Sequence, residues 1–272
     1  MDKLLTMKSS IPRLLMCPPD YFQVDYSINP WMSVDNQAIR DIAKKEWQLL
    51  YQTYLDLGCH VEILPAAEGW PDLVFTANAA LVVGPKKVWL SRFRHPERQG
   101  EALYNLQWFQ ADGWEIFQTN LPFEGQGEAF IWNNQLLAGY GFRSPKETIA
   151  ELATLTDHAI TDLELVDPRY YHLDMSLAPI SNDLIAYNPA AFSKEANQKI
   201  QQLGCQLIPI SEADAAKFAA NLVVIDQTII MAEGATELPD QLRQHGYQVI
   251  ELPMTQFQKS GGGVRCLTLN LN

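Results

Sequence analysis

The chain has 272 residues, 47% of them hydrophobic and 19% charged, with a formal net charge of −12. That composition supplies a sizeable core and argues against disorder, while the negative balance disfavours nucleic-acid and membrane-surface partners. Met1–Lys8 lacks an apolar run of signal-peptide length, no stretch approaches the ~20 apolar residues of a membrane span, and Cys17, Cys59, Cys205 and Cys266 are too scattered for a disulfide framework or a zinc site, which fits a reducing cytoplasm.

A short apolar run, Arg13–Cys17, opens the chain without a local mate. Residues 36–57 carry Ile39, Ile42, Trp47, Leu50 and Leu57 at helical spacing and end at Gly58, beyond which His60–Pro65 reads as a strand. Asn78–Val83 and Val88–Ser91 flank Gly84-Pro85-Lys86-Lys87 as a hairpin. A helix over 97–111 then ends at Gly113, before the strand Trp114–Phe117. The hairpin Ala129–Trp132 with Leu136–Tyr140 comes next, then a helix over 145–156 and the strand Ala159–Leu165, here without the glycine. The same order recurs twice more. Ser176–Ile180 with Leu184–Tyr187 precedes a helix over 193–203, Gly204 and a strand to Pro209. Leu222–Ile225 with Ile229–Met231 precedes a helix over 237–245, Gly246 and a strand to Pro253. Cys266–Leu271 is half a hairpin.

The residues that lead into these hairpins are Asn78, Glu128, Asp174, Asn221 and Cys266, spaced by 50, 46, 47 and 45. A period of that size signals radially repeated units rather than a doubly wound sheet. If Cys266–Leu271 pairs with Arg13–Cys17, the ring closes. The expected architecture is therefore α/β: a five-fold pseudosymmetric α/β propeller of ββαβ-type modules, forming one catalytic domain over 1–272.

In such a ring the loops before the hairpins point to a common centre. They read Phe75-Thr76-Ala77-Asn78, Glu124-Gly125-Gln126-Gly127-Glu128, His172-Leu173-Asp174, Phe218-Ala219-Ala220-Asn221 and Gly261-Gly262-Gly263-Val264-Arg265-Cys266. Cys59 and Cys205 share the helix-to-strand position of their repeats and read as small buried residues. Cys266, after three glycines that let backbone approach a ligand closely, reads as a nucleophile. The other histidines, His60, His95, His158 and His245, have no comparable setting.

These loops, in this order over essentially the whole chain, resemble the guanidino-group-modifying superfamily, the pentein fold. Its members include arginine deiminases, dimethylarginine hydrolases, amidinotransferases and arginine dihydrolases. The resemblance implies Cys266 as nucleophile, His172 as general acid and base, and Glu124 as the carboxylate that orients the histidine. It implies Asp174 as the carboxylate that pairs with a guanidinium, and Arg98 and Arg143 as clamps for a substrate α-carboxylate. Phe75 falls in the first substrate loop, and Asn29, in Ile28-Asn29-Pro30-Trp31-Met32, resembles a substrate-side asparagine of the dihydrolase branch. Glu128 takes a supporting role. No metal and no organic cofactor is implied, the partner is a small guanidino compound, and a homo-oligomer is compatible with the sequence.

Asn78 separates the branches. Arginine deiminases place aspartate there, whereas arginine dihydrolases resemble this chain. A carboxylate would repel the ureido oxygen left by a first hydrolysis and favour release of citrulline. An amide offers both an oxygen and an NH₂, so it can hold guanidino and ureido groups in turn. The expected activity is thus an arginine dihydrolase, which yields ornithine, carbon dioxide and two ammonia. The alternatives are a single-round deiminase, another guanidino hydrolase, an amidinotransferase, a peptide-cleaving cysteine protease for which no extended groove is evident, and a ribosome-binding factor of the same fold that would have no use for Cys266, His172 and Glu124. A dimethylarginine hydrolase ranks below the deiminase because Asp174 stands where methyl groups would need room.

Overall fold

Five three-stranded sheets recur along the chain, four of them built in the same chain order. The computed structural model describes residues 11–156 and 158–272; the start at Met1–Lys8, read above for a leader, lies outside the described residues. β1 (Arg13–Met16), α1 (Arg40–Asp56) and β2 (His60–Ile63) come first. β3 (Ala80–Gly84), β4 (Lys87–Leu90), α2 (Pro96–Gln99), α3 (Glu101–Ala111) and β5 (Glu115–Gln118) form the next module. β6 (Ala129–Trp132), β7 (Gln135–Tyr140), α4 (Lys146–Leu155) and β8 (Ala159–Glu164) form the third. β9 (Leu177–Ser181), β10 (Leu184–Tyr187), α5 (Lys194–Gln201) and β11 (Gln206–Pro209) form the fourth. A short α6 (Glu212–Ala215) then leads to β12 (Val223–Ile225), β13 (Thr228–Ala232), α7 (Glu237–Gln244) and β14 (Gln248–Leu252), and β15 (Leu269–Asn270) comes last.

Within each of the four complete modules the hairpin is antiparallel, and the strand after the helix lies parallel to the hairpin's second strand. The fifth sheet is assembled from both ends of the chain. β1 runs parallel to β2 and antiparallel to β15, with Leu14 opposite Asn270 and Leu15 opposite Leu269. The expected pairing of the termini is present.

Local chemistry explains the elements. α1 buries Ala43, Glu46, Trp47, Leu50, Thr53 and Tyr54, a stripe at three- and four-residue spacing. Gly58, Gly113, Gly204 and Gly246 all have φ between +70° and +90°, the left-handed turn that ends the helix before each third strand. The start of α7 is capped from a distance: the Asp214 carboxylate accepts the backbone N–H groups of Thr236, Glu237 and Leu238 at 2.9, 2.9 and 2.7 Å. Helices and sheets meet over a buried layer that includes Trp89, Phe109, Leu152, Ile200 and Leu242. Each such side chain contributes about 1.5–3 kcal/mol through burial.

Two expectations need correction. The strand expected over Cys266–Leu271 shrinks to β15, and Cys266 sits in a turn before it. The backbone there coils back on itself, with Leu267 N–H donating to Gly263 and Thr268 N–H to Arg265. Asn78 and Asp174 likewise lie in single 3₁₀ turns ahead of their strands, and Glu128 follows another. These turns move the loop residues off the sheets and towards one chamber. No helix among the described residues is long and apolar enough to cross a membrane.

Candidate active site

Each module contributes one turn to the site, but only some of the side chains those turns carry line its cavity. Phe75 and Asn78 come from the loop before β3, Glu124 from the loop before β6, and His172 and Asp174 from the loop before β9. Asn221 precedes β12, and Cys266 precedes β15. Asp72, Phe75, Asn78, Arg98, Arg143, Tyr171 and Cys266 face a common cavity roofed by Ile28 and Asn29.

Glu124, His172 and Arg143 form one buried unit. Glu124 Oε2 lies 2.9 Å from His172 Nε2 and accepts from the Arg143 guanidinium at 2.8 Å. Burial opposes ionisation of Glu124, but Arg143 and His172 outweigh it and hold the carboxyl well below the usual carboxylate range. A carboxylate only accepts, so the proton of the imidazole sits on Nε2 and Nδ1 is bare. Burial lowers the His172 pKa to about 4 even though Glu124 opposes that shift, so the resting imidazole is neutral at pH 7. Arg143 also stacks over Tyr171, 4.4 Å from the ring centre.

The loop that carries Glu124 needs its glycines. Gly125 has φ +61°, and a Cβ there would lie 2.7 Å from the Ala80 carbonyl oxygen. A Cβ on Gly127 would lie 2.4 Å from Asn78 Nδ2 and 3.1 Å from His172 Nδ1. Glu128 supports this loop rather than facing the chamber. It accepts from the N–H of Glu124 and from the N–H and hydroxyl of Ser144. Burial, with the Glu124 charge beside it, pushes its pKa up to about 8.

Cys266 Sγ donates to Asp174 Oδ2 at 3.4 Å and accepts from Asn221 Nδ2 at 3.1 Å. Burial and the neighbouring Asp174 hold the thiol well above its ordinary range, so it rests protonated. Burial likewise raises Asp174 to about 7, and its Oδ1 has no hydrogen-bond partner. A buried, unpaired carboxylate oxygen beside a thiol is a place for a cation.

Asn78 is fixed by Arg98. The Arg98 guanidinium donates to Asn78 Oδ1 at 2.9 Å, to Glu101 at 2.8 and 2.9 Å, and to the Asp72 carbonyl at 3.2 Å. Arginine has no acceptor, so the amide oxygen must face it, and the NH₂ group points away. That Nδ2 is buried without a partner. Arg98, expected as an α-carboxylate clamp, lines the chamber but commits most of its N–H groups to Asn78, Glu101 and Asp72. The difference arises because Glu101, one turn further on in α3, captures the guanidinium from both sides.

Asn29 is also committed. Its Nδ2 donates to the Ser260 carbonyl at 3.1 Å and its Oδ1 accepts from the Trp31 N–H, so it latches the roof to the glycine loop. Tyr26 adds a second tie, donating to Asp72 Oδ2 at 3.0 Å. The enclosed space is about 10 Å³, room for roughly one water. A ligand of amino-acid size needs far more room than this space offers as it stands. A far larger cavity, about 750 Å³, is walled by β3, β6, β9 and β12 around Arg265, but the reactive side chains do not face it.

Sequence reasoning passed over Asp72, Tyr171 and Asn221. Asp72 presents an unpartnered buried Oδ1 to the chamber. Its position outside the repeat hid it, although it lies only three residues before Phe75. Asn221 was visible as a hairpin-leading residue, but nothing in its own loop gave it a partner. Among the described residues, no group of three or more His, Cys, Asp or Glu side chains is placed to hold a metal ion.

Residues 19–272 match the protein family described as N,N dimethylarginine dimethylhydrolase, eukaryotic. The chain is 43% identical over 266 residues to the bifunctional arginine dihydrolase/ornithine cyclodeaminase AgrE of Nostoc sp., covering 95% of this chain and 38% of that protein. It is 37% identical over 260 residues to the N(G),N(G)-dimethylarginine dimethylaminohydrolase of Mycobacterium tuberculosis, covering 96% of this chain and 86% of that one. The N-terminal domain of ArgZ, a cyanobacterial arginine dihydrolase solved with substrate bound, superposes with a TM-score of 0.91 at 40% identity, over 96% of this chain and 98% of that domain. The chain spans under two fifths of the length of the bifunctional relatives, 38% of AgrE and 37% of the ArgZ of Synechocystis sp.. With its five sheets, its chamber of loop residues and these similarities, the chain belongs to the dimethylarginine dimethylhydrolase family within the guanidino-group-modifying, pentein-fold superfamily.

Proposed function

We propose that the chain is an arginine dihydrolase, converting arginine and two waters to ornithine, carbon dioxide and two ammonia. The observation that carries this reading is the orientation of Asn78, a chamber-lining residue whose oxygen is held by Arg98 so that its unpartnered NH₂ points away from the guanidinium, towards Gly127 on the His172 side of the site. A donor at that point suits a ureido oxygen, the group present only after the first hydrolysis.

The guanidinium enters beside Asp174, whose free Oδ1 accepts from it, and its positive charge favours loss of the Cys266 proton to Nδ1 of His172. The thiolate forms a bond to the guanidino carbon. A C–N bond then breaks, and ammonia departs with the proton from His172. Water gives a proton to His172 and attacks the amidino-thioether, the C–S bond breaks, and citrulline is left in place. Asn78 Nδ2 then holds the ureido oxygen while Cys266 attacks again and expels the second ammonia. Hydrolysis of the resulting thiocarbamate releases a carbamate that decays to ornithine and carbon dioxide. Arg143, through the N–H groups that its pairing with Glu124 and Ile28 leaves over, and Asp72 take the substrate's α-carboxylate and α-ammonium in this reading, and Phe75 and Asn29 wall the chamber. Because every module supplies a residue, the described chain acts as one catalytic domain. A cytoplasmic setting is supported by four cysteines that form no disulfide.

Dimethylarginine hydrolysis is the second reading, favoured by the family match and by the Mycobacterium relative. One experiment separates them. The purified chain is given L-arginine or dimethylarginine, and ammonia, citrulline, ornithine and dimethylamine are counted by mass spectrometry, with Cys266→Ser as control. Two ammonia per ornithine with little free citrulline is the expected result. One ammonia per citrulline overturns the second round, and dimethylamine as the preferred product overturns the substrate.

A further inference from the structure

We infer that Asn221 is a catalytic residue, a donor to the Cys266 sulfur that both fixes the nucleophile's turn and favours its thiolate. The inference concerns the nucleophile of the reaction proposed above and rests on that reading.

Asn221 is fully buried and uses its whole hydrogen-bonding capacity around Cys266. Its Oδ1 accepts from the N–H of Arg265 at 3.0 Å and of Cys266 at 3.2 Å. Its Nδ2 donates to Cys266 Sγ at 3.1 Å and to the Asp174 carbonyl at 3.2 Å. Two backbone donors on one side require the oxygen there, so the NH₂ is directed at the sulfur. The amide cannot flip without breaking both backbone bonds.

The sulfur is therefore held between opposing influences. Asp174 Oδ2 accepts the thiol proton and so favours the neutral form. Asn221 Nδ2 donates, and a donor bond strengthens when the sulfur becomes charged. Arg265 is a further ionisable group whose charge reaches the sulfur, favouring the thiolate, and a hydrogen bond with the Gly263 backbone acts in the same direction. A guanidinium bound by Asp174 would cancel that carboxylate's effect, after which the Asn221 donor stands beside the sulfur through every step. A purely structural asparagine would need its oxygen, to hold the turn 264–267, and one N–H, to tie the Asp174 carbonyl. The additional contact to sulfur is what assigns it a role in the chemistry.

The test measures thiolate formation without turnover. Iodoacetamide is attacked by the thiolate sulfur, forming C–S and releasing iodide, and the Cys266 peptide is followed by mass spectrometry across pH for the native chain, Asn221→Ala and Asn221→Asp. Asn221→Asp keeps an oxygen for the two backbone N–H groups and, once ionised, replaces the donor with a second oxygen. Removing one charge-assisted donor is expected to raise the alkylation midpoint by about one pH unit, a tenfold loss at fixed pH, with Asn221→Asp shifted at least as far. A lowered melting temperature with an unchanged alkylation midpoint in both variants would make Asn221 structural and overturn the inference. Should Asn221→Ala fail to fold, Asn221→Asp alone decides. If the midpoint moves but the native chain turns over no guanidino compound, Asn221 keeps its role as a donor that favours the thiolate, and the proposed function falls together with the catalytic role that rests on it.

Discussion

Two asparagines, Asn78 and Asn221, stand at equivalent points before β3 and β12, and they are employed in opposite ways. Both are buried, with 3% and 0% of their surface exposed. Asn221 spends its amide on protein partners, two backbone N–H groups, a carbonyl and the Cys266 sulfur. Asn78 spends only its oxygen, on Arg98, and leaves its NH₂ unpartnered. A buried donor left bare costs about 1–3 kcal/mol, which an acceptor on a ligand would recover. Symmetry thus places a residue, and its neighbours decide whether it serves the scaffold or waits for a ligand.

The sharpest way to break this comparison is Asn78→Asp. Arg98 still holds one oxygen, but the other now faces the ureido oxygen of the first-round product and repels it. Ornithine formation is expected to fall about a hundredfold or more, the cost of losing one donor to a developing charge, while citrulline appears as product. Equal loss of citrulline and ornithine production would instead mean that Asn78 serves both rounds alike. Gly127→Ala comes next. Its Cβ would sit 2.4 Å from Asn78 Nδ2 and 3.1 Å from His172 Nδ1, so kcat/KM is expected to drop about tenfold to a hundredfold, along with the few degrees of melting temperature that such an overlap costs.

A pH profile sharpens the same picture from the side of the cation. Asp174 sits at about 7 instead of its ordinary 3.8, and only its ionised form can pair with a guanidinium. As pH falls through about 7 the carboxyl takes up a proton and binding is lost, so kcat/KM should rise with pH through that value, by tenfold per unit at the steepest. In Asp174→Asn the profile should lose this limb along with most of the activity. A limb that survives the substitution belongs to another group.

The repeat was legible because three signals coincide in three of the four complete modules: helical spacing, a terminating glycine, and a polar turn between two apolar runs; the module ending at Leu165 lacks only the glycine. Those signals located α1 within four residues, matched β6 to the residue, and paired the termini. Cys266 was legible as a candidate nucleophile because three glycines precede it. What the sequence concealed was which partner each polar group takes. Arg98 reads as a free clamp until Glu101, three residues on, is seen to hold it from two sides. Asn221 reads as a plain loop residue until the turn at 264–267, 44 residues away, closes over its side chain. Asp72 carries no periodic signal at all. Contacts between modules are set by ring closure, and no local pattern encodes them.

The smallest expected effect tests whether scaffold and chamber are separable. Gly246 ends α7 at φ +90°, and a Cβ there would meet nothing within 4 Å. Gly246→Ala therefore adds backbone strain alone, about 1–2 kcal/mol, which for a chain of this size lowers the melting temperature by a few degrees. No chamber residue touches this turn, so kcat/KM and the ratio of ornithine to citrulline should stay at their native values. A changed product ratio would mean that strain at the rim of one module reaches Asn78, and that the two asparagines differ through the whole ring rather than through their immediate neighbours.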